Sequence, residues 1–253
     1  MSTLVYQNNG IVATRYLKKY PFPNDITQLP ALIPGIILQA DFDVNDPGSL
    51  TRNRVAQVGS VMSVVGSPVL GDYGVQLTEA SHIDSNIDIS AFNSSDLTMV
   101  TIAVHPGVVG AVVGRAQMNA PQRSRATQTT ATGWQAKWLT SSGAAQQAIV
   151  VPSSVATDGE MAVSRFVRDN GSGSMLTKLD LPRTAQSATG TAAMAPYAVP
   201  SSKILLGGSV EGATTATLFM RACLIVSRAI TNAEMATIYS YYKNYYQLKG
   251  KNI

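Results

Sequence analysis

The stretch Met161-Ala162-Val163-Ser164-Arg165-Phe166-Val167-Arg168-Asp169-Asn170-Gly171-Ser172-Gly173-Ser174-Met175-Leu176-Thr177-Lys178-Leu179 decides the fold class. Two runs rich in Val, Met, Leu, Phe and Thr flank Asp169-Asn170-Gly171, and Asn and Gly accept positive φ cheaply, so the segment predicts a β-hairpin. Working outward, similar runs recur: Ile36 to Phe42, Val55 to Val65, Val69 to Leu77, Leu97 to Val104 and Val108 to Val113. Gly133 to Leu139, Gln146 to Val151, Lys203 to Gly207 and Thr217 to Val226 follow. Each is short, β-branched and bounded by Gly, Pro, Asn or Asp. Many short strands at this spacing predict an all-β sandwich or barrel rather than alternating strands and helices.

One helix is predicted, over residues 231–247. Thr231-Asn232-Ala233-Glu234 has the form of a capping box, in which hydroxyl and carboxylate each satisfy an orphan backbone amide. Met235, Ile238, Tyr239, Tyr242, Tyr245 and Tyr246 recur behind it at helical spacing and give one apolar face, and Gly250 lies past its end. Residues 1–35 differ from the rest: Tyr6, Tyr16, Tyr20 and Phe22 lie among Lys18, Lys19 and the prolines at 21, 23, 30 and 34. Proline removes a donor and fixes φ, so this stretch is expected to form neither a regular helix nor a central strand. The expectation is an arm whose aromatics lie along the chain's own sandwich or against a partner subunit, with residues 36–253 forming the sandwich.

Composition narrows the function classes. Charged residues make up 13% of the 253, against about 25% in ordinary soluble domains. The net charge of +4 comes with only four glutamates and no basic run beyond Lys18-Lys19, which argues against nucleic-acid binding. The single Cys223 excludes an intrachain disulfide and a Cys-based zinc site, and it lies in an apolar run that suits an inert buried thiol. Met1 to Gly10 lacks the hydrophobic region of a signal peptide, and the apolar stretches are too short to span a bilayer, so no membrane insertion is expected.

The last fifty residues are similar to the end of a laminin-G-like, concanavalin A-like sandwich. Leu205-Leu206-Gly207-Gly208 is followed by Phe219 to Val226, then by Ser227-Arg228-Ala229-Ile230-Thr231 and the helix with Glu234 and Tyr239. Tyr73 to Leu77, Ile87 to Ile89 and Leu97 to Val104 resemble that family's strands before the first sheet crossing, and Asp158 to Lys178 resembles its hairpin. The resemblance covers residues 36 to 247 and implies a jelly-roll sandwich, a fold that hosts lectins, glucanases, adhesion domains and virion proteins. The family often has Trp where this chain has Ala103, so different packing is expected there.

Glucanases on this fold carry Glu-x-Asp-x-Glu on one strand, where alternate residues share a face and point together into a cleft. That motif is missing here. Asp41 and Asp43 are the carboxylates at i, i+2 spacing in an expected strand, and they are weak candidates for catalysis or for a structural calcium bound by Asp side chains and loop carbonyls. An EF-hand loop is excluded, because its sixth position is Asp46 instead of Gly and its twelfth is Arg52 instead of Glu. His82 and His105 lack the spacing and context of a zinc site or a triad. No catalytic residue and no cofactor is therefore expected.

Two binding features remain. Trp134 and Trp138, on one face of an expected strand, offer either a platform for sugar rings or ordinary core. The polar segment Gly114 to Gly133, read as a long loop, carries Arg115, Arg123 and Arg125, whose guanidinium groups suit acidic glycans. Three functions compete on these grounds. The first is a non-enzymatic structural or attachment protein of a phage particle (capsid decoration, head fibre or tail receptor-binding module), docked through its arm onto other virion proteins or copies of itself. It would be made in the host cytoplasm and would meet host surface polysaccharide. The second is a free-standing carbohydrate-binding domain. The third, disfavoured, is a glycoside hydrolase.

Overall fold

The computed structural model describes residues 4–8, 11–15, 26–55, 61–88, 91, 96–109, 112–118, 123–139, 145–154, 156–169, 173–193, 203–207 and 216–253. Within these, 4–8, 11–15, 112–118, 123, 124, 139, 145, 146, 168 and 169 are described as backbone alone. In chain order the elements are β1 (Leu4–Asn8), β2 (Ile11–Arg15), α1 (Leu29–Leu32), β3 (Ile36–Asp41), β4 (Ser63–Val65), β5 (Val69–Gly71), β6 (Gly74–Leu77), β7 (His82–Asp88) and β8 (Leu97–Val104). They continue with β9 (Val112–Met118), β10 (Arg123–Thr129), β11 (Trp134–Leu139), β12 (Ala145–Val150), β13 (Glu160–Asp169), β14 (Ser174–Leu181), β15 (Gln186–Ala193), β16 (Lys203–Leu206), β17 (Leu218–Val226) and α2 (Asn232–Gln247).

Among the described residues the strands form two large antiparallel sheets. One runs β12-β11-β10-β9-β16-β7-β4; the other runs β15-β14-β13-β8-β17-β6-β5, with β3 also paired to β17. The protein is an all-β sandwich with one long C-terminal helix. β17 is the pivot of the larger sheet. Its first residues pair with β6 and its last with β3 along one edge, while β8 occupies the other edge.

Because β17 is covered on both faces, it reads as an unbroken apolar run instead of an alternating one. Met220, Cys223 and Ile225 enter the core between the sheets, and Ala222, Leu224 and Val226 enter a second core beneath the helix. The inter-sheet core also holds Phe42, Met99, Trp134, Trp138, Phe166 and Ile204. The second core is built from Val100, Ile102, Met161 and Val163 below, with Ile238, Tyr242 and Tyr246 of α2 above. Ala103 is fully buried across from Met220. Cys223 is buried, and desolvation raises its thiol far above the ordinary range, which makes it inert.

The helix begins as its sequence dictates. Thr231 Oγ1 accepts from the Glu234 amide at 3.2 Å, and Glu234 Oε2 accepts from the Thr231 amide at 2.8 Å. Arg228 donates to both oxygens of the same carboxylate, and this guanidinium, with Thr231 assisting, holds the Glu234 carboxyl down at about 2. A depressed carboxyl stabilises the fold above its unfolded pKa and loses that contribution as pH falls toward the folded value. The melting-temperature gap between wild type and Glu234→Gln should therefore shrink as pH is lowered from about 5 to about 2. A gap that is constant in circular-dichroism melts across that window would contradict the assignment.

Among those described, residues 1–35 supply no strand to the two large sheets, and β1 and β2 form a two-stranded antiparallel sheet of their own. Residues 1–35 also contain the single turn α1, which tolerates Pro30 because a first-turn amide needs no partner. Ile26, Leu29 and Ile33 are buried in the second core against the chain's own sandwich, whereas Tyr16, Tyr20 and Phe22 lie outside the described residues and Tyr6 is described as backbone only. Finally, the expected loop from Gly114 to Gly133 is mostly the antiparallel pair β9 and β10. Asn170 and Gly171 fall outside the described residues, yet Asp169 pairs with Ser174 on either side of them.

Candidate functional site

Burial removes the aromatic platform. Trp134 and Trp138 are both 0% exposed, on the inner face of β11. Trp138 meets Phe166 edge-on at 5.9 Å, and Trp134 meets the His105 ring at 5.4 Å. Arg125 stands across from Trp138 in the register, is 0% exposed, and places its guanidinium 5.4 Å from that ring. A residue without solvent access cannot meet a glycan at a surface, so Trp134, Trp138 and Arg125 are core. Arg115 and Arg123 lie in β9 and β10, and their side chains fall outside the described residues.

The aspartate pair is also committed elsewhere. Arg54 grips both oxygens of the buried Asp41 carboxylate, with Nη2 to Oδ2 at 2.7 Å. Asp43 Oδ1 accepts from the amide and the side chain of Asn45, each at 3.0 Å, closing a tight turn. Among the described residues no three His, Cys, Asp or Glu side chains converge in a way that could hold a metal ion.

A cleft of about 440 Å³ lies instead on the outer face of the larger sheet, between the ends of β14 and β15 and the first half of α2. The β14 residues alternate: Met175, Leu179 and Leu181 enter the inter-sheet core, so Lys178 and Asp180 share the opposite face. Arg165 on β13 stands directly opposite Lys178. Two cations in register repel, and Asp180 relieves them both: Oδ2 accepts from Arg165 Nη2 at 2.6 Å, and Oδ1 lies 3.4 Å from Lys178 Nζ.

Arg165 also ties the sheet to the helix. Its Nη1 donates to Asn232 Oδ1 at 2.8 Å and to the Ile230 carbonyl at 3.2 Å. A guanidinium only donates, so this contact fixes the Asn232 amide with its oxygen toward Arg165 and leaves Nδ2 as a donor at the cleft. Gln186 forms part of the rim and is itself held, accepting from the Ser153 amide at 2.7 Å and donating to the Val151 carbonyl at 3.0 Å. Tyr239, Met235 and Pro182 supply apolar wall. The Tyr239 hydroxyl donates to the Ile253 carbonyl at 3.3 Å, and burial, reinforced by the nearby Glu160 charge, pushes this phenol above its ordinary value.

The site thus combines a carboxylate oxygen, an amide donor, an ammonium group and the exposed Ser187 with an aromatic and aliphatic wall. Its polar groups sit on strands and a helix, and the buried Arg165 fixes the positions of two of them. Sequence reading assigned none of these residues to a site; the available signal was Lys178 and Asp180 at i, i+2 in a strand with a charged Arg165 opposite.

No protein-family model matches the chain, and no curated protein matches its sequence. Solved structures do match in shape. The receptor-binding domain of botulinum neurotoxin type G superposes with a TM-score of 0.55 at 9% identity, over 82% of this chain and 51% of that one. A botulinum neurotoxin type C structure, of a toxin whose uptake into cells depends on two ganglioside molecules, gives 0.55 at 10% identity, over 82% and 51%. The Trypanosoma rangeli sialidase bound to sialic acid gives 0.54 at 11% identity, over 82% and 33%. The fold is a lectin-like β-sandwich. At these identities the likeness shows the fold alone, and the chain spans about half the length of the toxin structures.

Proposed function

We propose that this protein is a non-enzymatic carbohydrate-binding sandwich that engages glycans through the cleft between β14, β15 and α2. The observation that carries the reading is the pre-positioned polar set of Lys178, Asp180 and Asn232 beside the Tyr239 and Met235 wall, since sugar sites combine a few fixed hydrogen-bonding groups with an apolar surface for the ring's C–H face. Structural neighbours described as ganglioside-dependent or as bound to sialic acid support a glycan as the partner class.

In the finer form of the proposal, the sandwich is displayed on a phage particle as a decoration, fibre or tail attachment module, with the part of residues 1–35 that precedes the buried Ile26 as the docking arm. The low charged fraction of 13% and the aromatic and proline-rich arm support that placement. Deleting residues 1–25 should leave a folded sandwich that no longer associates with particle proteins in light scattering; retained association would mean that the arm is not the anchor.

The cleft is tested by occlusion. Ser187 is exposed at its edge, so Ser187→Trp should fill the space without disturbing either core. On a glycan array the variant should lose at least tenfold in apparent affinity while its melting temperature stays within a few degrees of wild type. Undiminished binding by a folded variant would place any glycan site elsewhere.

A further inference from the structure

We infer that the cleft is selective for carboxylated sugars, whose carboxylate docks on Lys178; this rests on the glycan-binding reading above. Two cations, Arg165 and Lys178, face one carboxylate, Asp180, so the local formal balance is positive. The two cations share Asp180 unequally. Arg165 holds it at 2.6 Å with both side chains within 9% of full burial, whereas Lys178 stands off at 3.4 Å and keeps 28% of its side chain exposed. Arg165 therefore neutralises Asp180, and Lys178 is the cation with charge to offer to a ligand.

The neighbouring groups do not cancel this charge. Glu160 and Arg183, the next ionisable residues, are paired with one another at 2.6 Å. The opening turn of α2, whose dipole favours negative charge, carries Asn232 on the cleft wall, and its one acidic residue, Glu234, is bound to Arg228. An anion entering here meets an ammonium group, the Asn232 Nδ2 donor and a helix start, while Asp180 Oδ1 remains available to accept from a ring hydroxyl. Ammonium–carboxylate hydrogen bonds are charge-assisted and markedly stronger than neutral ones. A neutral sugar would leave Lys178 with only its long contact to Asp180.

The test is an array holding acidic glycans, uronic and nonulosonic, beside the same glycans with their carboxyl groups reduced to alcohols. Wild-type protein should bind one or more acidic members and lose about tenfold or more on reduction, with the preference weakening as salt rises. Lys178→Gln should lose the difference between the acidic and reduced forms of that glycan, the affinity that remains being carried by Asp180 and Asn232. Its thermal stability should match wild type, because Asp180 keeps Arg165. If wild type binds glycans through the cleft with no regard to carboxyl reduction, or if Lys178→Gln retains the preference, the inference is overturned and the glycan-binding function stands. If nothing on the array binds, both are overturned.

Discussion

Trp138→Ala should lower the unfolding free energy by about 3–5 kcal/mol, the range for deleting a fully buried large aromatic side chain. The indole lies between the sheets at 0% exposure, edge-on to Phe166 at 5.9 Å and beneath the Arg125 guanidinium at 5.4 Å. Its removal opens a cavity that backbone held in register by β10 and β12 cannot close, and it takes away the aromatic face over which Arg125 lies. Urea unfolding should show a lower midpoint with an unchanged slope. Trp138→Phe, which keeps a ring opposite Phe166, should recover a substantial part of the loss. A cost below about 1 kcal/mol for the alanine variant would mean that the indole is not packed core, and would reopen the surface-platform reading.

Arg183→Met should be comparably severe and, unlike the tryptophan variant, strongly dependent on pH. Glu160 is 2% exposed, and its carboxylate is held by Arg183 alone among the described residues, through Nε at 3.0 Å and Nη2 at 2.6 Å. Arg183 is itself anchored on Ser154 through Nη1 to the hydroxyl at 2.8 Å and Nη2 to the carbonyl at 2.5 Å. Burial pushes the Glu160 carboxyl above its ordinary value, and the Arg183 guanidinium pulls it part of the way back. Breaking a buried pair from one side leaves an uncompensated charge, at a cost of about 3–5 kcal/mol.

The sign of the pH effect follows from the same shift. A carboxyl whose folded pKa lies above its unfolded pKa favours the fold at low pH and loses that contribution as pH rises through the folded value. Without Arg183 the folded value climbs further, so Arg183→Met should be destabilised most at neutral pH and recover as pH drops toward about 5. Adding Glu160→Gln should remove the pH dependence and restore most of the stability at neutral pH. A single variant with a pH-independent loss would show that Glu160 is not the group responsible.

The sequence announced the parts of this fold whose physics is local. Thr231 and Glu234 lie three apart and form the capping box that they imply. The apolar runs ending in Val104 and Val226 became the central pair β8 and β17, because such runs are stable only when both faces are covered. Asn9-Gly10 between Leu4–Asn8 and Ile11–Arg15 is the same hairpin signal as Asn170-Gly171, set ahead of a proline-rich stretch whose composition opposes regular strands.

Other strands were illegible for a reason rooted in burial. β10 carries Arg125, Thr127 and Thr129 inward, all 0% exposed, so its period-two signal is polar where apolar residues are expected. Thr127 is satisfied by the Ser164 hydroxyl across the sandwich at 2.6 Å, a pairing between residues that no local pattern could reveal. β15 is made, after Gln186, of Ser, Ala, Thr and Gly and gives almost no periodic signal. The cleft was hidden in the same way. Lys178 and Asp180 are two apart on one face of their strand, but what defines them is Arg165 from the neighbouring strand and Asn232 from the helix.

The position of β17 at the centre of the larger sheet, late in the chain, also sets when the protein can fold. Ala40 waits for Cys223, Val75 for Met220, and Val100 for Leu224. During vectorial synthesis β3, β6 and β8 are all complete long before residues 218–226 leave the ribosome, and until then their mutual neighbour is missing. Pairings this distant along the chain close slowly and leave strand edges open to wrong partners in the meantime. The larger sheet is thus completed only once residues 218–226 have been made, and any truncation that removes β17 should leave an aggregating chain instead of a smaller fold.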